Sequence, residues 1–372
     1  MRVHYFDYAA ACPIEEEALS VYIHASKNFF GNTGSLHDIG TDAKRLLEHC
    51  RERIAHMVGV EKAGIYFTSG GTESNEIALR SLQALRPNRS VIIAGGEHAS
   101  IQYLVDQWEE EGVSVTRIPF TEDGVLNMAV LKATMNDETG LVIMQHVNGD
   151  IGTTQPVEEV NQLCDTYGAL MHCDCVQSFG KKDLRAVSKV VDSLSLSAHK
   201  IGGPTGIGAV YIKPSLNVPP KTPSPAHESG MRPGTVPLPG VAAFTEAAGK
   251  SVDNLIENQR KISERKRWFL ERMQECRESF RVVGNGNAVV GICLKGVEGQ
   301  WAMLEANRLG YAFSTGSACQ AGKTPYALTA MGMSKEEAKT FIRISFHPSH
   351  TRQEVEGLAT VLKKTIHAHN LV

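Results

Sequence analysis

The sequence predicts an α/β protein with a large lobe built on a mostly parallel sheet and a smaller α+β lobe. The chain has 372 residues, more than one domain of ordinary size, and 42% of them are hydrophobic against 21% charged, as in globular proteins. Short apolar runs alternate with helical stretches between positions 65 and 212. That alternation is typical of right-handed βαβ crossovers, which produce parallel strands.

The first part of the chain is predicted to begin with helices. Pro13 opens a helix that runs toward Phe30. Apolar residues at helical spacing predict a second helix over 40–58. A short apolar strand over 65–68 then leads, through small and polar residues, into a helix that ends at Leu85.

Strands and helices alternate from there on. Strands are predicted at 90–94, 114–118, 140–145, 169–173, 193–197 and 209–212, with helices near 99–111, 126–135 and 156–167. In open parallel sheets, ligands bind at the carboxyl ends of the strands. Polar residues follow five of the predicted strands, which predicts that they converge on one pocket. They are Gly71 with Thr72, Glu97 with His98, 146–148, Asp174 with Gln177, and Ser197 with His199 and Lys200.

The last third of the chain alternates differently. A proline-rich segment over 218–225 and a loop over 227–235 lead to a long predicted helix over 239–275. Thr351 and Glu354 predict a capping box on the final helix. The other elements of this part are strands at 288–294, 311–314 and 341–346 and a helix at 299–309. We expect a large domain over 14–245 and a small domain formed by 1–13 and 246–372.

Charge and cysteine content set expectations about location and partners. The net charge of −3 predicts no broad attraction to nucleic acid or membranes. The first residues lack an apolar signal segment, and no run approaches the roughly 20 apolar residues of a membrane-spanning helix. We therefore expect a cytoplasmic protein. The eight cysteines have no CxxC spacing and are expected to be reduced thiols.

A metal site at His172, Cys173 and Cys175 is disfavoured. Successive residues of a strand point to opposite faces, which places His172 opposite both cysteines. We expect no bound metal.

Lys200 and Asp174 are the residues around which the predicted site is built. Lys200 ends an apolar strand and precedes the glycine-rich run 201–208, a setting that shields the amine from water and favours its neutral, nucleophilic form. Asp174 is the one carboxylate of the apolar run 169–178, where it needs a partner. A lysine that forms a Schiff base and an aspartate that faces a pyridinium nitrogen are what pyridoxal 5′-phosphate (PLP) requires of a protein.

The run 69–75 is a candidate phosphate site. Small residues at the start of a helix leave backbone N–H groups available to an anion. The same run also suits an ordinary helix capped by Thr72 or Ser74. Ser197 and Lys200 have the spacing of acyl-serine hydrolases, but the Ser-Asp-Asn and Lys-Thr-Gly motifs of those enzymes are missing from the sequence.

Taken in order, these motifs resemble those of cysteine desulfurases of the NifS/IscS type, within the class V branch of fold-type I PLP-dependent transferases. The resemblance covers nearly the whole chain. It rests on FDYAA (6–10), GN (31–32), SLH (35–37), FTSGGTESN (67–75), EH (97–98), HVN (146–148), IG (151–152), Asp174 with Gln177 and Ser178, SAHK (197–200), GMRPGT (230–235), STGSAC (314–319) and IRISF (342–346).

The resemblance implies a role in cofactor binding for each matching residue. Lys200 would hold PLP as a Schiff base and later move protons, and Asp174 would keep the pyridine nitrogen protonated. His98 would stack on the ring and act as acid and base, and Gln177 would bond the ring hydroxyl. The phosphate would be held by Gly71, Thr72, Ser197 and His199, and by Thr235 of the neighbouring subunit of a homodimer.

The resemblance also implies a substrate, L-cysteine, and a reaction. Arg343 would pair bidentately with the α-carboxylate, and Asn32 belongs to the same substrate site. Cys319 lies in the small-residue run 315–322 and would attack the substrate sulfur as a thiolate, leaving alanine and a persulfide. The sulfur would then pass to an acceptor protein of tRNA thiolation, iron–sulfur cluster assembly or a thiamine pathway.

The chain departs from the family pattern at three places. Gly149 stands where an asparagine is usual, and Asn148 or a water is expected to replace its contact with the ring hydroxyl. The segment 224–226 replaces a glycine run. Cys173 and Cys175 flank Asp174, a pattern that, together with the short tail, resembles the NifZ type associated with tRNA thiolation.

Two other functions stay open at this point. Another class V PLP enzyme, such as an aminotransferase or a selenocysteine lyase, would keep Lys200 and Asp174 without needing Cys319. A catalytically silent dimeric scaffold would fit the loss of asparagine at Gly149, but it has no need for Lys200, Asp174, His98 and Cys319 together.

Overall fold

The structure is a computed structural model that describes residues 3–222, 227–316 and 323–369. The strands within these ranges are β1 (His4–Tyr5), β2 (Ile65–Thr68), β3 (Ser90–Ala94), β4 (Val115–Ile118), β5 (Thr139–Gln145), β6 (Leu170–Asp174), β7 (Ser193–Ser197), β8 (Gly208–Ile212), β9 (Phe280–Val283), β10 (Val289–Leu294), β11 (Tyr311–Ala312) and β12 (Phe341–Ser345). The α-helices are α1 (Glu16–Asn28), α2 (Asp38–Val58), α3 (Gly71–Leu85), α4 (Ala99–Glu110), α5 (Met128–Thr134), α6 (Val157–Tyr167), α7 (Arg185–Val190), α8 (Leu238–Asp253), α9 (Leu255–Met273), α10 (Gly299–Arg308), α11 (Tyr326–Ala330), α12 (Lys335–Ala338) and α13 (Arg352–His369). None of these helices is long and apolar enough to cross a lipid bilayer.

The large lobe is organised by a sheet with the strand order β2-β8-β7-β6-β5-β3-β4. The run from β7 to β4 is parallel throughout. In contrast, β8 pairs antiparallel with both β7 and β2. Every residue of β5, β6 and β7 is buried, as expected for strands covered by helices on both faces. The predicted mostly parallel α/β fold is therefore confirmed.

The predicted long helix over 239–275 is wrong in one respect, because it is two helices. Helix α8 ends at Asp253 and α9 begins at Leu255, with Asn254 between them. The side-chain Nδ2 of Asn254 donates to the carbonyl of Lys250 at 2.8 Å, next to the bond from its own backbone N–H. An asparagine side chain that competes for backbone groups favours a break of this kind.

The starts of helices α2 and α13 are set by side chains that accept hydrogen bonds from backbone amides. Helix α2 begins at Asp38, two residues before the predicted start, because the ring of His37 accepts a hydrogen bond from the backbone of Gly40. The capping box is confirmed, since the Thr351 hydroxyl accepts from the Glu354 amide and the Glu354 carboxylate accepts from the Thr351 amide.

The short elements α7, α11, α12 and β9 were not predicted, because they are too short to show a period.

The second lobe has its own sheet and its own hydrophobic core. The antiparallel sheet β12-β10-β9 lies in it, and β1 from the N-terminus pairs with β11. Phe6 belongs to this core, together with Phe269 and Ile342. Helix α8 packs on α1 and α2 of the large lobe. We therefore propose that the lobes divide at Asn254, since the expected boundary at 245/246 falls inside α8.

Candidate active site

A cavity of about 200 Å³ lies at the carboxyl ends of the central strands, against the start of α3. Ten residues of the predicted site line it: Gly71, Thr72, His98, Asn148, Asp174, Gln177, Ser197, His199, Lys200 and Arg343. Asn32 and Thr235 do not belong to the described lining of this cavity. Cys319 falls outside the residues that the structure describes. The roles of these three residues stay predictions, as do the roles of the ten that line the cavity.

Lys200 is held at the cavity wall by the N-terminal segment. It follows β7 at the end of the short helical turn Ala198–Lys200. Its Nζ donates to the carbonyl oxygens of Ala9 at 2.7 Å and Ala10 at 2.8 Å. The side-chain Nε2 of Gln177 donates to the same Ala9 carbonyl at 2.9 Å. The residues that follow β1 therefore fix the position of the lysine amine.

Asp174 is an oriented anion at the end of β6. The residue is 6% exposed. Its Oδ2 accepts a hydrogen bond from Nδ2 of Asn75 at 2.9 Å, and its Oδ1 accepts one from the backbone N–H of Val176 at 2.9 Å. Both oxygens thus act as acceptors, as those of an ionised carboxylate do. A carboxylate held in this way suits a protonated ring nitrogen.

The start of α3 and the end of β7 form a candidate anion site. The first backbone N–H groups of a helix have no intrahelical partner and attract negative charge. Ser197 Oγ and His199 Nδ1 lie 2.9 Å apart beside them. Burial, aided by the charges of Lys200 and Lys181, lowers the pKa of His199 to about 4, so the ring is neutral at pH 7.

Gly71 allows α3 to begin close to the cavity wall. A Cβ atom at this position would lie 2.7 Å from Cγ2 of Val176, which is too close without a shift of the helix or of the valine. Glycine at position 71 therefore lets the first amides of α3 lie beside Val176 without a shift of either.

Asn148 is largely engaged by the chain itself. Its Oδ1 accepts hydrogen bonds from the backbone amides of Asp150 and Ile151 at 2.9 and 3.0 Å. Its Nδ2 donates to the carbonyl of Gly96 at 3.1 Å. One amide hydrogen is left for a ligand. The predicted contact of Asn148 with a ring hydroxyl would therefore be made as a donor.

Glu97 is an acid in the cavity wall to which sequence reasoning gave no role. It is 1% exposed, and its Oε1 accepts a hydrogen bond from the backbone of Gln145 at 2.8 Å. Its Oε2 has no hydrogen-bond partner among the described residues. Burial, and then the charge of Asp174, raises the pKa of Glu97 well above its usual range. Both effects favour the protonated form of Glu97.

Arg343 brings a positive charge from the second lobe into the site. It lies on β12 and is 2% exposed. Its Nη2 donates to Oδ1 of Asp7 at 2.8 Å, and its Nη1 donates to the carbonyl of Gly149 at 3.1 Å. Oδ1 of Asp150 is 3.5 Å from Nη1. The Nε–H of the guanidinium has no hydrogen-bond partner within the described part of the chain.

Known proteins are similar in sequence to this chain over nearly its full length. The Aminotransferase class-V family matches residues 4–358. A NifS protein of Bacillus subtilis strain 168 is 41% identical over 95% of this chain and 92% of its own. The cysteine desulfurase IscS of Rickettsia bellii is 32% identical over 95% of this chain and 88% of its own. The chain belongs to the class-V aminotransferases, among the cysteine desulfurases of the NifS/IscS type.

The fold of this cysteine desulfurase agrees with that assignment. A solved structure described as a NifS-like protein superposes with a TM-score of 0.90 and 26% identity, covering 100% of both chains. Fold and sequence therefore support the same family.

Enzymes of this family depend on PLP, and the residues of the cavity fit that cofactor. The start of α3, with Ser197 and the neutral ring of His199, provides donors for a phosphate. Asp174, held by Asn75, would provide a buried carboxylate for the ring nitrogen. Lys200 lines the same cavity and would provide the amine for the aldehyde carbon. These groups line one cavity, which is the arrangement that the cofactor needs.

Sequence reasoning missed the residues that connect this site internally. Asn75, Ser100 and His172 form hydrogen bonds that run from Asp174 to His98 and to β7. Asn75 closes the run 67–75, and His172 stands two residues before Asp174. A signal was therefore present, but a contact between α3 and β6 cannot be derived from the spacing of either segment.

Proposed function

We propose that this cysteine desulfurase converts L-cysteine to L-alanine and keeps the sulfur as a persulfide on Cys319. In net terms, the carbon–sulfur bond of the substrate breaks, a sulfur–sulfur bond forms on the Cys319 thiol, and the substrate carbon gains a proton. Bound PLP supplies an electron sink for this chemistry. The observation that carries the proposal is the presence of Lys200, Asp174 and an anion site in one cavity.

Two cavity residues suit the substrate and its protons. Arg343 is a buried cation that retains an unpaired Nε among its described contacts, and we assign to it the α-carboxylate of cysteine. His98 is fixed by Ser100, whose backbone N–H donates to Nδ1 at 3.2 Å. A neutral imidazole bonded in this way carries its proton on Nε2. His98 is therefore oriented for acid–base work at the cavity wall.

The chain that leads to Cys319 starts beside Arg343. The backbone N–H of Ser314 donates to the carbonyl of Arg343 at 3.2 Å, and the backbone N–H of Arg343 donates to the carbonyl of Ser314 at 2.6 Å. Residues 317–322 follow directly after this anchored stretch. This connection to the cavity supports Cys319 as the sulfur acceptor within the chain.

The proposal is tested by product analysis. Wild type, Cys319→Ser and Cys276→Ser are loaded with PLP and given L-cysteine with a reductant, and alanine and sulfide are measured. We expect turnover in wild type and in Cys276→Ser, which changes a part-exposed thiol of the second lobe, and loss of turnover in Cys319→Ser. Unchanged turnover in Cys319→Ser would favour another class V activity. Wild type that fails to bind PLP would favour a silent scaffold.

We further propose that the active unit is a homodimer. Phe30 is 71% exposed and Leu36 is 98% exposed, and both lie close in sequence to Asn32. Large apolar side chains exposed to water favour burial in an interface. A dimer would also let Asn32 and Thr235 serve the neighbouring cavity. Light scattering of wild type and Leu36→Glu tests this, with a monomeric wild type as the contradicting result.

The acceptor of the sulfur is proposed to be a second protein, of tRNA thiolation, iron–sulfur assembly or a thiamine pathway. The described cysteines are free thiols, which supports a reducing, cytoplasmic location. Loading the enzyme with sulfur-labelled cysteine and following the label into candidate acceptors distinguishes the three pathways. Label that stays on the enzyme with every protein acceptor would contradict the proposal.

A further inference from the structure

We infer that Asn75 is a positioning residue that couples the anion Asp174 to the imidazole of His98. Its Nδ2 donates to Oδ2 of Asp174 at 2.9 Å and to Oγ of Ser100 at 3.2 Å. Oγ of Ser100 lies 2.9 Å from Nδ1 of His98. Asn75 therefore links the partner expected for the ring nitrogen with the expected acid–base residue. The inference rests on the proposed function of the cavity.

The orientation of the Asn75 amide is set from the far side by His172. Oδ1 of Asn75 is 3.1 Å from Nε2 of His172, and Nδ1 of His172 is 2.7 Å from Oγ of Ser193. Burial lowers the pKa of His172 to about 3, so the ring is neutral and has one N–H. Since Oδ1 can accept but not donate, that proton lies on Nε2. The hydroxyl of Ser193 then donates to Nδ1.

These contacts give the hydrogen bonds one direction. Ser193 donates to His172, His172 donates to Asn75, and Asn75 donates to Ser100. The Ser100 hydroxyl, which accepts from Asn75, has its own proton free to donate to Nδ1 of His98. The remaining hydrogen on Nδ2 goes to Asp174. Reversing the Asn75 amide would place its oxygen against the Asp174 carboxylate, where neither atom can donate. The Asn75 amide therefore has one orientation.

Because these residues are buried, the loss of any one of these hydrogen bonds is costly in free energy. Asn75 is 1% exposed and His172 is fully buried. A buried polar group that loses its partner bears the full cost of its desolvation. Asn75→Ala would remove partners from Asp174, Ser100 and His172 at once. Asn75→Asp would place a second carboxylate beside Asp174, where like charges repel.

The test compares Asn75→Ala with Ser81→Ala as a matched control. Ser81 is a buried residue of the same helix whose hydroxyl donates to the Ile77 carbonyl, and it does not line the cavity. PLP affinity is measured by equilibrium dialysis, and the visible band of the bound cofactor is titrated with pH. We expect Asn75→Ala to weaken PLP binding about tenfold or more and to shift the titration midpoint, as follows from unpairing buried groups. Ser81→Ala should keep both wild-type values.

The outcomes separate this inference from the proposed function. Wild type that binds no PLP would defeat the proposed function itself. Wild type that binds PLP, with Asn75→Ala matching Ser81→Ala in affinity and midpoint, would defeat the positioning role alone.

If Asn75→Ala does not fold, Ser100→Ala replaces it. Its pH–rate profile should shift while PLP affinity holds, and Ser100→Thr should recover the midpoint. An unshifted profile in Ser100→Ala would overturn the inference.

Discussion

The guanidinium of Arg343 donates from Nη2 to Oδ1 of Asp7 at 2.8 Å, so the residue assigned to the substrate carboxylate already binds an acid of its own chain. A buried guanidinium requires such partners, because an unpaired charge in the interior is costly. A substrate carboxylate would therefore be bound by a cation that it shares with Asp7. We therefore expect Asp7 to influence the affinity for substrate.

Asp7→Asn is expected to lower the KM for L-cysteine by roughly three- to tenfold, an effect of about 1 kcal/mol, with kcat nearly unchanged. Asparagine keeps an oxygen acceptor for Nη2 but removes the negative charge that competes with the substrate. Steady-state kinetics of alanine formation measure this change in KM. Asp7→Ala serves as the contrast, since it also removes the positioning bond and should raise KM. A higher KM in Asp7→Asn would show that the charge of Asp7 assists substrate binding.

Much of the fold could be predicted because it follows from local patterns. Apolar runs with helices between them predict parallel strands, and parallel strands bring their carboxyl ends to one edge. Asp174 and Lys200 stood out for the same reason, as charged residues at the ends of apolar strands. The break at Asn254 is also local, but helix propensity on either side of it masked the effect of one side chain.

The hydrogen bonds within the site could not be predicted. Asn75 lies in the first turns of a helix, where a polar residue is ordinary, and its importance arises from contacts with Asp174 and His172 far along the chain. The engagement of Arg343 by Asp7 joins the two ends of the sequence. Such contacts depend on how the lobes pack, and no spacing within one segment encodes them.

Glu228→Gln is expected to destabilise the protein by about 3–5 kcal/mol, because it removes the charge that compensates a buried arginine. Both oxygens of Glu228 accept from Arg51 at 2.8 Å, and Oε2 also accepts from the backbone of Phe67. Glu228 has a left-handed φ of 53°, as does Ser229 with 52°, and strain of that kind needs anchoring. Denaturant unfolding measures the loss.

Glu48→Gln provides the matched control for that substitution. Glu48 pairs with the same Arg51, at 3.2 Å, but its side chain is 46% exposed. Exposed pairs contribute about 1 kcal/mol or less. Comparable losses in Glu48→Gln and Glu228→Gln would contradict the assignment of Glu228 as the anchor of the loop that leads to Thr235.

His172→Gln is expected to flatten the dependence of stability on pH. Burial lowers the pKa of His172 to about 3 from an ordinary 6.5, so the unfolded chain binds the proton first. Stability is therefore lost as pH falls from about 6.5 toward 3, with a slope of up to about 1.4 kcal/mol per pH unit for one histidine. The variant should be less stable than wild type at pH 7.5, with a gap that narrows by pH 5. Urea unfolding of both proteins at the two pH values tests this, and a constant gap would argue against it.

Gly149→Asn is expected to fold normally and to tighten PLP binding. A Cβ atom at Gly149 would lie 3.6 Å from the nearest atoms of Gln177, an ordinary contact, and the bond from Arg343 goes to the backbone carbonyl of Gly149, which the substitution keeps. An amide there would add a donor or acceptor to the wall of the cavity, where Asn148 is mostly engaged by the chain. Gly149→Ala supplies the same Cβ without the amide. Equilibrium dialysis with PLP should give a lower dissociation constant for Gly149→Asn and an unchanged one for Gly149→Ala. Equal constants in the two variants would mean that the cofactor lies out of reach of position 149, and that the glycine has no bearing on how this enzyme holds PLP.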